Sequence, residues 1–166
     1  MSSEVEYALI IPLPELAELL APWLEHSIGA RPSHGIPPHV TVLFPCPNEP
    51  VGVSEALAQV KAFDVTFHEL RRFPQGVVYL APEPEDPFLA LTTRVVTRFP
   101  DWLPFGGEFA EVVPHLTVAW GAKLDEAEQA LAPELPLQAR ARTAVLLGQI
   151  EREQWEPVAH FPFGDV

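Results

Sequence analysis

The sequence predicts an α+β fold with two duplicated lobes of antiparallel sheet and helices, related by a pseudo-twofold axis around a central cleft. Short β-type runs alternate with helical patterns along the chain. A unit of strand, helix, loop and strand occurs twice. Of the 166 residues, 48% are hydrophobic, which is ample for a buried core. At this length we expect residues 1–166 to form a single bilobal domain.

The N-terminal residues predict a strand followed by a helix. Residues 5–11 are an apolar run closed by Pro12, as expected for a buried strand. Apolar residues then recur at helical spacing, and Pro22 should kink or shorten the helix that they form. Its apolar face comprises Leu16, Leu19, Leu20, Trp23 and Leu24.

A loop, a strand and a second helix follow. Residues 29–38 are rich in Pro and Gly and predict a loop, and residues 39–44 predict a strand. Ser54 can cap the second helix, which would turn Leu57 and Val60 towards the core.

The second half repeats this order after two strands near 64–70 and 76–81. Asp86 and Pro87 form the cap and first-turn signature of a third helix. Residues 100–114 predict another loop. The apolar face of the third helix comprises Phe88, Leu91, Val95 and Phe99.

The C-terminal residues predict a strand at 115–120, a short helix at 125–131 and an antiparallel pair formed by 137–149 and 154–161.

The two halves can be aligned on their tyrosines. Tyr7 and Tyr79 each lie in a predicted strand that is followed by two prolines, a helix, a loop and the sequence Pro-His-x-Thr-Val. This alignment makes Tyr7 the counterpart of Tyr79 and His39 the counterpart of His115. The duplication therefore predicts two similar lobes.

The charge of the chain limits its partners. The formal net charge is −13, and affinity for long nucleic acid depends on Lys and Arg that neutralise phosphates. An anionic membrane surface is disfavoured for the same reason. A small phosphorylated ligand remains compatible, because a local pocket can oppose the overall field. We expect no long nucleic acid and no membrane partner, and the oligomeric state stays open.

Cys46 is the single cysteine, so no disulfide can form within the chain. The N-terminus lacks a signal-peptide pattern, and no apolar run is long enough to span a membrane. These features predict a cytoplasmic protein. A small apolar filler is the simplest interpretation of Cys46.

The paired motifs His39/Thr41 and His115/Thr117 are the candidate catalytic residues. Side chains alternate along a strand, so each histidine points the same way as its threonine. A pseudo-twofold axis that brings both strands to one cleft would gather two imidazoles and two hydroxyls around a single point. A lone His-x-Thr is common by chance, but two copies within a repeat are not.

This set of groups suits displacement at the phosphorus of an ester. The attacking and leaving oxygens lie roughly in line. One neutral histidine can take a proton from water while a protonated one gives a proton to the leaving alkoxide. The threonine hydroxyls can stabilise the non-bridging oxygens. The chain has no zinc-hydrolase, paired-cysteine or phosphate-loop pattern, so we expect no metal and no cofactor.

Four further residues are weaker candidates for the rim of the site. His34 lies in the loop before the first motif and could line the cleft, although a solvated loop histidine is the simpler interpretation. Tyr79 could stack a base, but a buried strand tyrosine is the simpler interpretation. Arg71 and Arg72 could contact phosphate or be a solvated pair.

The segments Pro38-His39-Val40-Thr41-Val42-Leu43-Phe44 and Pro114-His115-Leu116-Thr117-Val118-Ala119-Trp120 resemble the two-histidine (2H) phosphoesterase superfamily. That group includes bacterial 2′-5′ RNA ligase-like proteins and cyclic nucleotide phosphodiesterases. The resemblance covers Tyr7 to about Phe161. It implies a bilobal fold in which both motifs face a central cleft, the histidines are the acid–base pair and the threonines hold the phosphate.

Two aromatic residues bear on the substrate that the resemblance implies. Phe44 matches an aromatic that often follows the first motif in the family. Trp120 stands where some members carry a basic residue, which favours a small substrate, or one stacked on an aromatic, over longer RNA. We therefore list Phe44 and Trp120, with Tyr79 and His34, as substrate-binding candidates.

The sequence-based hypothesis is metal-independent hydrolysis of a 2′,3′-cyclic phosphate or a related small cyclic phosphodiester, carried by a small nucleotide or an RNA end. Ligation of RNA through a 2′-5′ bond is the reverse chemistry and a first alternative. A nucleotide-binding module without turnover is a second. A metal-dependent phosphoesterase would need carboxylates near the histidines, and the motif strands supply none.

Overall fold

The computed structural model describes residues 5–24, 36–74, 76–107, 112–120, 124–151 and 154–164. The strands are β1 (Tyr7–Pro12), β2 (His39–Leu43), β3 (Phe63–Phe73), β4 (Val77–Glu83), β5 (Leu116–Trp120), β6 (Leu137–Ala141), β7 (Thr143–Glu151) and β8 (Gln154–Pro162). The α-helices are α1 (Ala17–Leu24), α2 (Pro50–Ala56), α3 (Asp86–Arg98) and α4 (Leu124–Leu131). Of these described helices, none is both long and apolar enough to cross a membrane.

The strands form two four-stranded antiparallel sheets, which confirms the predicted α+β class. The first sheet has the order β2-β1-β7-β8, and the second has the order β5-β4-β3-β6. In each sheet the motif strand lies at the edge, beside the strand that precedes it in the repeat. The first sheet is completed by the C-terminal hairpin of β7 and β8, so the first lobe is built from residues at both ends of the described chain.

The main core is shared by the two lobes. One continuous cluster of buried residues includes Leu9 of β1, Leu80 of β4 and Val95 of α3. The helices cross between the lobes, since α1 contacts β5 and α3 contacts β2. Each motif strand is therefore supported by the helix of the opposite repeat, and burial of this shared apolar surface holds the lobes together.

The second helix starts earlier than its predicted cap. It runs from Pro50 to Ala56, and Ser54 lies inside it with no capping role. A proline is well suited to the first helical turn because its fixed φ is already helical and its missing N–H is not needed there. The predicted inward position of Leu57 is confirmed, since that side chain is buried.

The predicted strand 137–149 is wrong as a single element. It is divided at Arg142 into β6, which pairs with β3 in the second sheet, and β7, which pairs with β1 in the first. The chain passes from one sheet to the other within a single residue, and the residues on both sides are typical of strands. Periodicity alone therefore cannot show that two strands are present. The antiparallel pairing of β7 with β8 is confirmed.

The alignment of Tyr7 with Tyr79 is also wrong. Within the sheets, Ile10 lies opposite Thr41 and Tyr79 lies opposite Thr117, so Ile10 is the counterpart of Tyr79. Tyr7 instead packs against the main core. The two repeats differ in the number of residues between the first strand and the motif. An alignment by residue type therefore could not show that the counterpart of Tyr79 lies three positions after Tyr7.

Candidate active site

The motif side chains lie on the faces that strand alternation predicts. In β2, His39 and Thr41 are half-buried while Val40 and Val42 are buried in the core. His115 immediately precedes β5 and is also half-buried, as is Thr117. Leu116 and Val118 point into the main core.

The fold brings the two motifs together. Strands β2 and β5 contact each other across the lobes. Desolvation is the largest cause that lowers the pKa of His39, and repulsion from a protonated His115 lowers it further. The two half-buried imidazoles are therefore close enough to interact electrostatically.

Both imidazoles are held by the same backbone contact. The Nδ1–H of His39 donates to the carbonyl oxygen of Pro37 at 2.8 Å, and that of His115 donates to the carbonyl oxygen of Val113 at 2.7 Å. A carbonyl can only accept, so the proton of the neutral ring lies on Nδ1. Nε2 is then the nitrogen left for proton transfer.

A local sequence signal explains this contact. Proline precedes each histidine, at Pro38 and Pro114, and the residue before a proline is restricted to extended backbone. That restriction sets the direction of the carbonyl that accepts from the ring. Both prolines are visible in the sequence, but their effect on the tautomer of each histidine is evident only from the fold.

Burial shifts the ionisation of both histidines in one direction. Desolvation lowers the pKa of His39 and of His115 below the usual 6.5. The contacts with the carbonyls of Pro37 and Val113 oppose this shift without reversing it. In the absence of ligand, the neutral form of each ring is therefore favoured at pH 7.

Each motif strand carries a β-bulge directly after its threonine. Leu9 pairs with Leu43 and Ile10 with Thr41, which leaves Val42 as an extra residue in β2. In the second sheet the corresponding register shift leaves Val118 as the extra residue in β5. Bulges bend a strand and re-aim its side chains, and they are frequent beside active sites. The alternation of apolar residues gave no sign of them.

The second lobe supplies an aromatic wall for His115. Tyr79, opposite Thr117, stacks on Phe73 with ring centroids 4.2 Å apart. Both rings lie edge-to-face with His115, at 5.0 Å for Phe73 and 5.7 Å for Tyr79. Tyr79 is only 6% exposed, so its ring supports the histidine and offers little surface to a base. Phe73 was not among the sequence candidates.

The first lobe presents an apolar patch on the same face as Thr41. Ala8, Ile10, Val145 and Leu147 form a buried cluster separate from the main core. Phe44 and Trp155 pack against it and meet edge-to-face, with centroids 6.1 Å apart. Phe44 is thus near the first motif as predicted, whereas Trp155, distant in sequence, was not anticipated. We call these six residues the apolar patch.

The two adjacent arginines point to opposite sides of β3. Arg72 is held by Asp125 at 2.6 Å and Glu128 at 3.0 Å, both in α4. Arg71 lies opposite Tyr79 and pairs with Glu69 at 2.9 Å. It lines a groove of about 630 Å³ that continues to Val113 and Pro114, beside His115.

Three candidate residues from the sequence remain: His34, Trp120 and Cys46. His34 lies outside the described residues. Trp120 ends β5 opposite Val77, and its side chain lies outside the description. Cys46 is buried, and burial raises the pKa of its thiol to about 12. It therefore stays protonated, consistent with an apolar filler and not with a nucleophile.

Two antiparallel four-stranded sheets, each with a His-x-Thr motif at its edge strand, define a duplicated, bilobal α+β fold. The sequence model of the 2′-5′ RNA ligase superfamily matches residues 12–153, and the chain belongs to this superfamily. No protein of curated function matches the sequence.

Solved structures share the fold over nearly the whole chain. Escherichia coli LigT in its apo form matches with a TM-score of 0.63 and 16% identity, covering 98% of this chain and 99% of LigT. A protein described as a phosphoesterase gives 0.63 and 18%, covering 97% and 99%. E. coli LigT complexed with 3′-AMP gives 0.61 and 17%, covering 96% and 99%. These likenesses establish the duplicated fold.

Proposed function

We propose that the protein hydrolyses a 2′,3′-cyclic phosphate or a related small cyclic phosphodiester, without a metal ion, by acid–base catalysis between His39 and His115. The observation that supports this proposal is the matched pair of imidazoles, which lie on motif segments that contact each other. Each has Nδ1 bound to a backbone carbonyl, so each offers Nε2 for proton transfer.

The proposed reaction needs one imidazole in each protonation state. Nε2 of the neutral histidine removes a proton from water, whose oxygen attacks phosphorus in line with the ester oxygen that leaves. The bond from phosphorus to that ribose oxygen breaks, and the protonated histidine gives its Nε2 proton to the oxygen. The hydroxyls of Thr41 and Thr117 donate to the non-bridging oxygens, where negative charge must be stabilised.

The walls of the cleft suit a nucleoside as the rest of the substrate. The apolar patch beside Thr41 includes the half-buried rings of Phe44 and Trp155, on which a flat nucleobase can lie. The complex of E. coli LigT with 3′-AMP supports a small nucleotide as the occupant. The net charge of −13 disfavours a long RNA.

Two other activities fit the same fold. Ligation of RNA ends through a 2′-5′ bond uses a ribose hydroxyl in the place of water, and a binding module needs no turnover. A binder requires no matched acid and base, so the duplicated histidine geometry favours the enzyme.

The test is a panel of nucleoside 2′,3′-cyclic phosphates and 3′,5′-cyclic phosphates, incubated with purified protein in EDTA and resolved by chromatography. We expect a nucleoside monophosphate product, and no product from a His39→Ala/His115→Ala protein prepared in parallel. Activity that disappears in EDTA and returns with zinc or magnesium would contradict the metal-free mechanism. Nucleotide binding without turnover would favour the binding module, and joined RNA ends would favour ligation.

A further inference from the structure

Thr92 of α3 reaches from the second repeat to the motif strand of the first. Its hydroxyl donates to the carbonyl oxygen of Val42 at 2.7 Å and lies 3.3 Å from the carbonyl oxygen of Phe88 in the same helix. A hydroxyl has one proton, so the shorter contact identifies Val42 as the principal acceptor. The Thr92 side chain is buried, at 7% exposure.

The acceptor has an unusual position. Val42 is the bulged residue of β2 and has no counterpart on β1. The extra residue of a bulge is left unpaired in the strand ladder, and a buried carbonyl needs a donor. Thr92 supplies that donor through a side chain 50 positions away in sequence.

We propose that Thr92 is a positioning residue, which fixes the bulge at Val42 and thereby aims His39 and Thr41 into the cleft shared with the second motif. Val42 directly follows Thr41, and a slip of one residue in strand register turns side chains to the opposite face. This proposal rests on the proposed phosphodiester hydrolysis, because the catalytic aim of the first motif is what Thr92 is inferred to control.

The variants needed are close in volume and differ in the hydroxyl. Thr92→Val removes the donor and keeps the shape, whereas Thr92→Ser keeps the donor. Thr93→Val is the matched control, since Thr93 is the exposed neighbour and bonds only the Leu89 carbonyl of its own helix, at 3.0 Å. We expect Thr92→Val to lower kcat by about tenfold or more with KM within about twofold, because misplacement by 1 Å can cost about a hundredfold. Thr92→Ser and Thr93→Val should stay near the parent.

A combination with Thr41→Val separates positioning from general stability. If Thr92 acts through the aim of the motif, its loss costs less kcat in a Thr41→Val background than in the parent. Equal fractional losses in both backgrounds, or full activity of folded Thr92→Val, would overturn the proposal. If Thr92→Val does not fold, Thr92→Cys replaces it, because its thiol is a weak donor. Its kcat should fall below that of Thr92→Ser, and equality would overturn the proposal.

The role of Thr92 can also be tested by a measurement that does not depend on enzymatic activity. If the parent protein turns over no substrate, that function fails, and an NMR titration of the His39 imidazole still tests Thr92. We expect the His39 titration to move in Thr92→Val relative to the parent, and to be unchanged in Thr92→Ser and Thr93→Val. An unmoved titration in Thr92→Val would show that the hydroxyl does not position the first motif.

Discussion

Ile10 and Tyr79 occupy equivalent positions in the two sheets, each directly opposite the threonine of its own motif. The duplicated strands thus place different side chains beside matching motifs. Ile10 belongs to the apolar patch of the first lobe, whereas Tyr79 packs against both Phe73 and His115 in the second. In the proposed reaction, an acid–base pair with different walls on its two sides would favour one orientation of the substrate.

The apolar patch should bind the base of the substrate. We predict that Phe44→Ala and Trp155→Ala each raise KM for a nucleoside 2′,3′-cyclic phosphate by about tenfold, because stacking contributes roughly 1–3 kcal/mol per base. Steady-state kinetics with a ribose cyclic phosphate that lacks a base provides the control. If the two variants impair that substrate equally, the patch acts on folding or on the histidines and does not recognise a base.

The two neighbouring arginines should differ in their effect on binding. Arg71 of β3 pairs with Tyr79 of β4, which in turn pairs with Thr117 of β5. Arg71 is therefore two strand spacings, or about 10 Å, from the motif strand. Its ion pair with Glu69 is exposed. Exposed pairs contribute about 1 kcal/mol or less, so an anionic substrate can replace Glu69. We predict that Arg71→Met raises KM several-fold with an unchanged melting temperature.

Arg72→Met is the matched control for that measurement. Its guanidinium faces α4 and is held there by Asp125 and Glu128. We expect its KM to stay at the parent value. Equal KM changes in the two variants would mean that the overall charge of the protein, and not the position of Arg71, governs binding.

The pH profile should be displaced towards acid in the free enzyme. Desolvation lowers the pKa of both histidines below 6.5, and the active form of the pair must hold one proton. The profile of kcat/KM reports the free enzyme. It should therefore reach its maximum below about pH 6.5 and fall about tenfold per pH unit from pH 7 to 9, with apparent pKa values that belong to the coupled pair.

The profile of kcat should reach higher pH. A bound phosphodiester anion favours the charged imidazolium and raises its pKa, so the alkaline limb of kcat should lie above that of kcat/KM. Both profiles can be measured with a single cyclic phosphate in constant-ionic-strength buffers. A kcat/KM that is flat between pH 5 and 9 would rule out histidine acid–base catalysis.

The motif strands, the duplication and the placement of each histidine on the same strand face as its threonine could be predicted from the sequence, because they follow from residue type and strand alternation. It could not predict the bulges at Val42 and Val118, since one extra apolar residue leaves the composition of a strand unchanged. Thr92 and Trp155 were missed for a different reason. Each reaches the site through tertiary packing from a distant segment, and no local pattern marks such a contact.

The final prediction concerns the four motif residues. Changing His39 or His115 to Ala should lower kcat by about 10²–10⁴, the usual scale for general acid–base catalysis. The two act as a unit, so the double variant should be little worse than the poorer single variant. Thr41→Val and Thr117→Val remove only a hydroxyl each and should cost less than a histidine, through weaker stabilisation of the phosphoryl oxygens.

Stability measurements distinguish a catalytic histidine from a structural one. Because the pKa of His39 is lower in the folded protein than in the unfolded chain, the unfolded chain is protonated first as the pH falls. Protonation of the unfolded chain therefore lowers the free energy of unfolding below about pH 6.5 and has little effect above that pH. Melting temperatures should therefore be compared at pH 7.5, where both rings are neutral in either state. There the motif variants should melt near the parent, because half-buried cleft groups add little packing. A His39→Ala or His115→Ala protein that unfolds would identify that ring as a structural histidine, and one that folds with full activity would exclude it from the reaction.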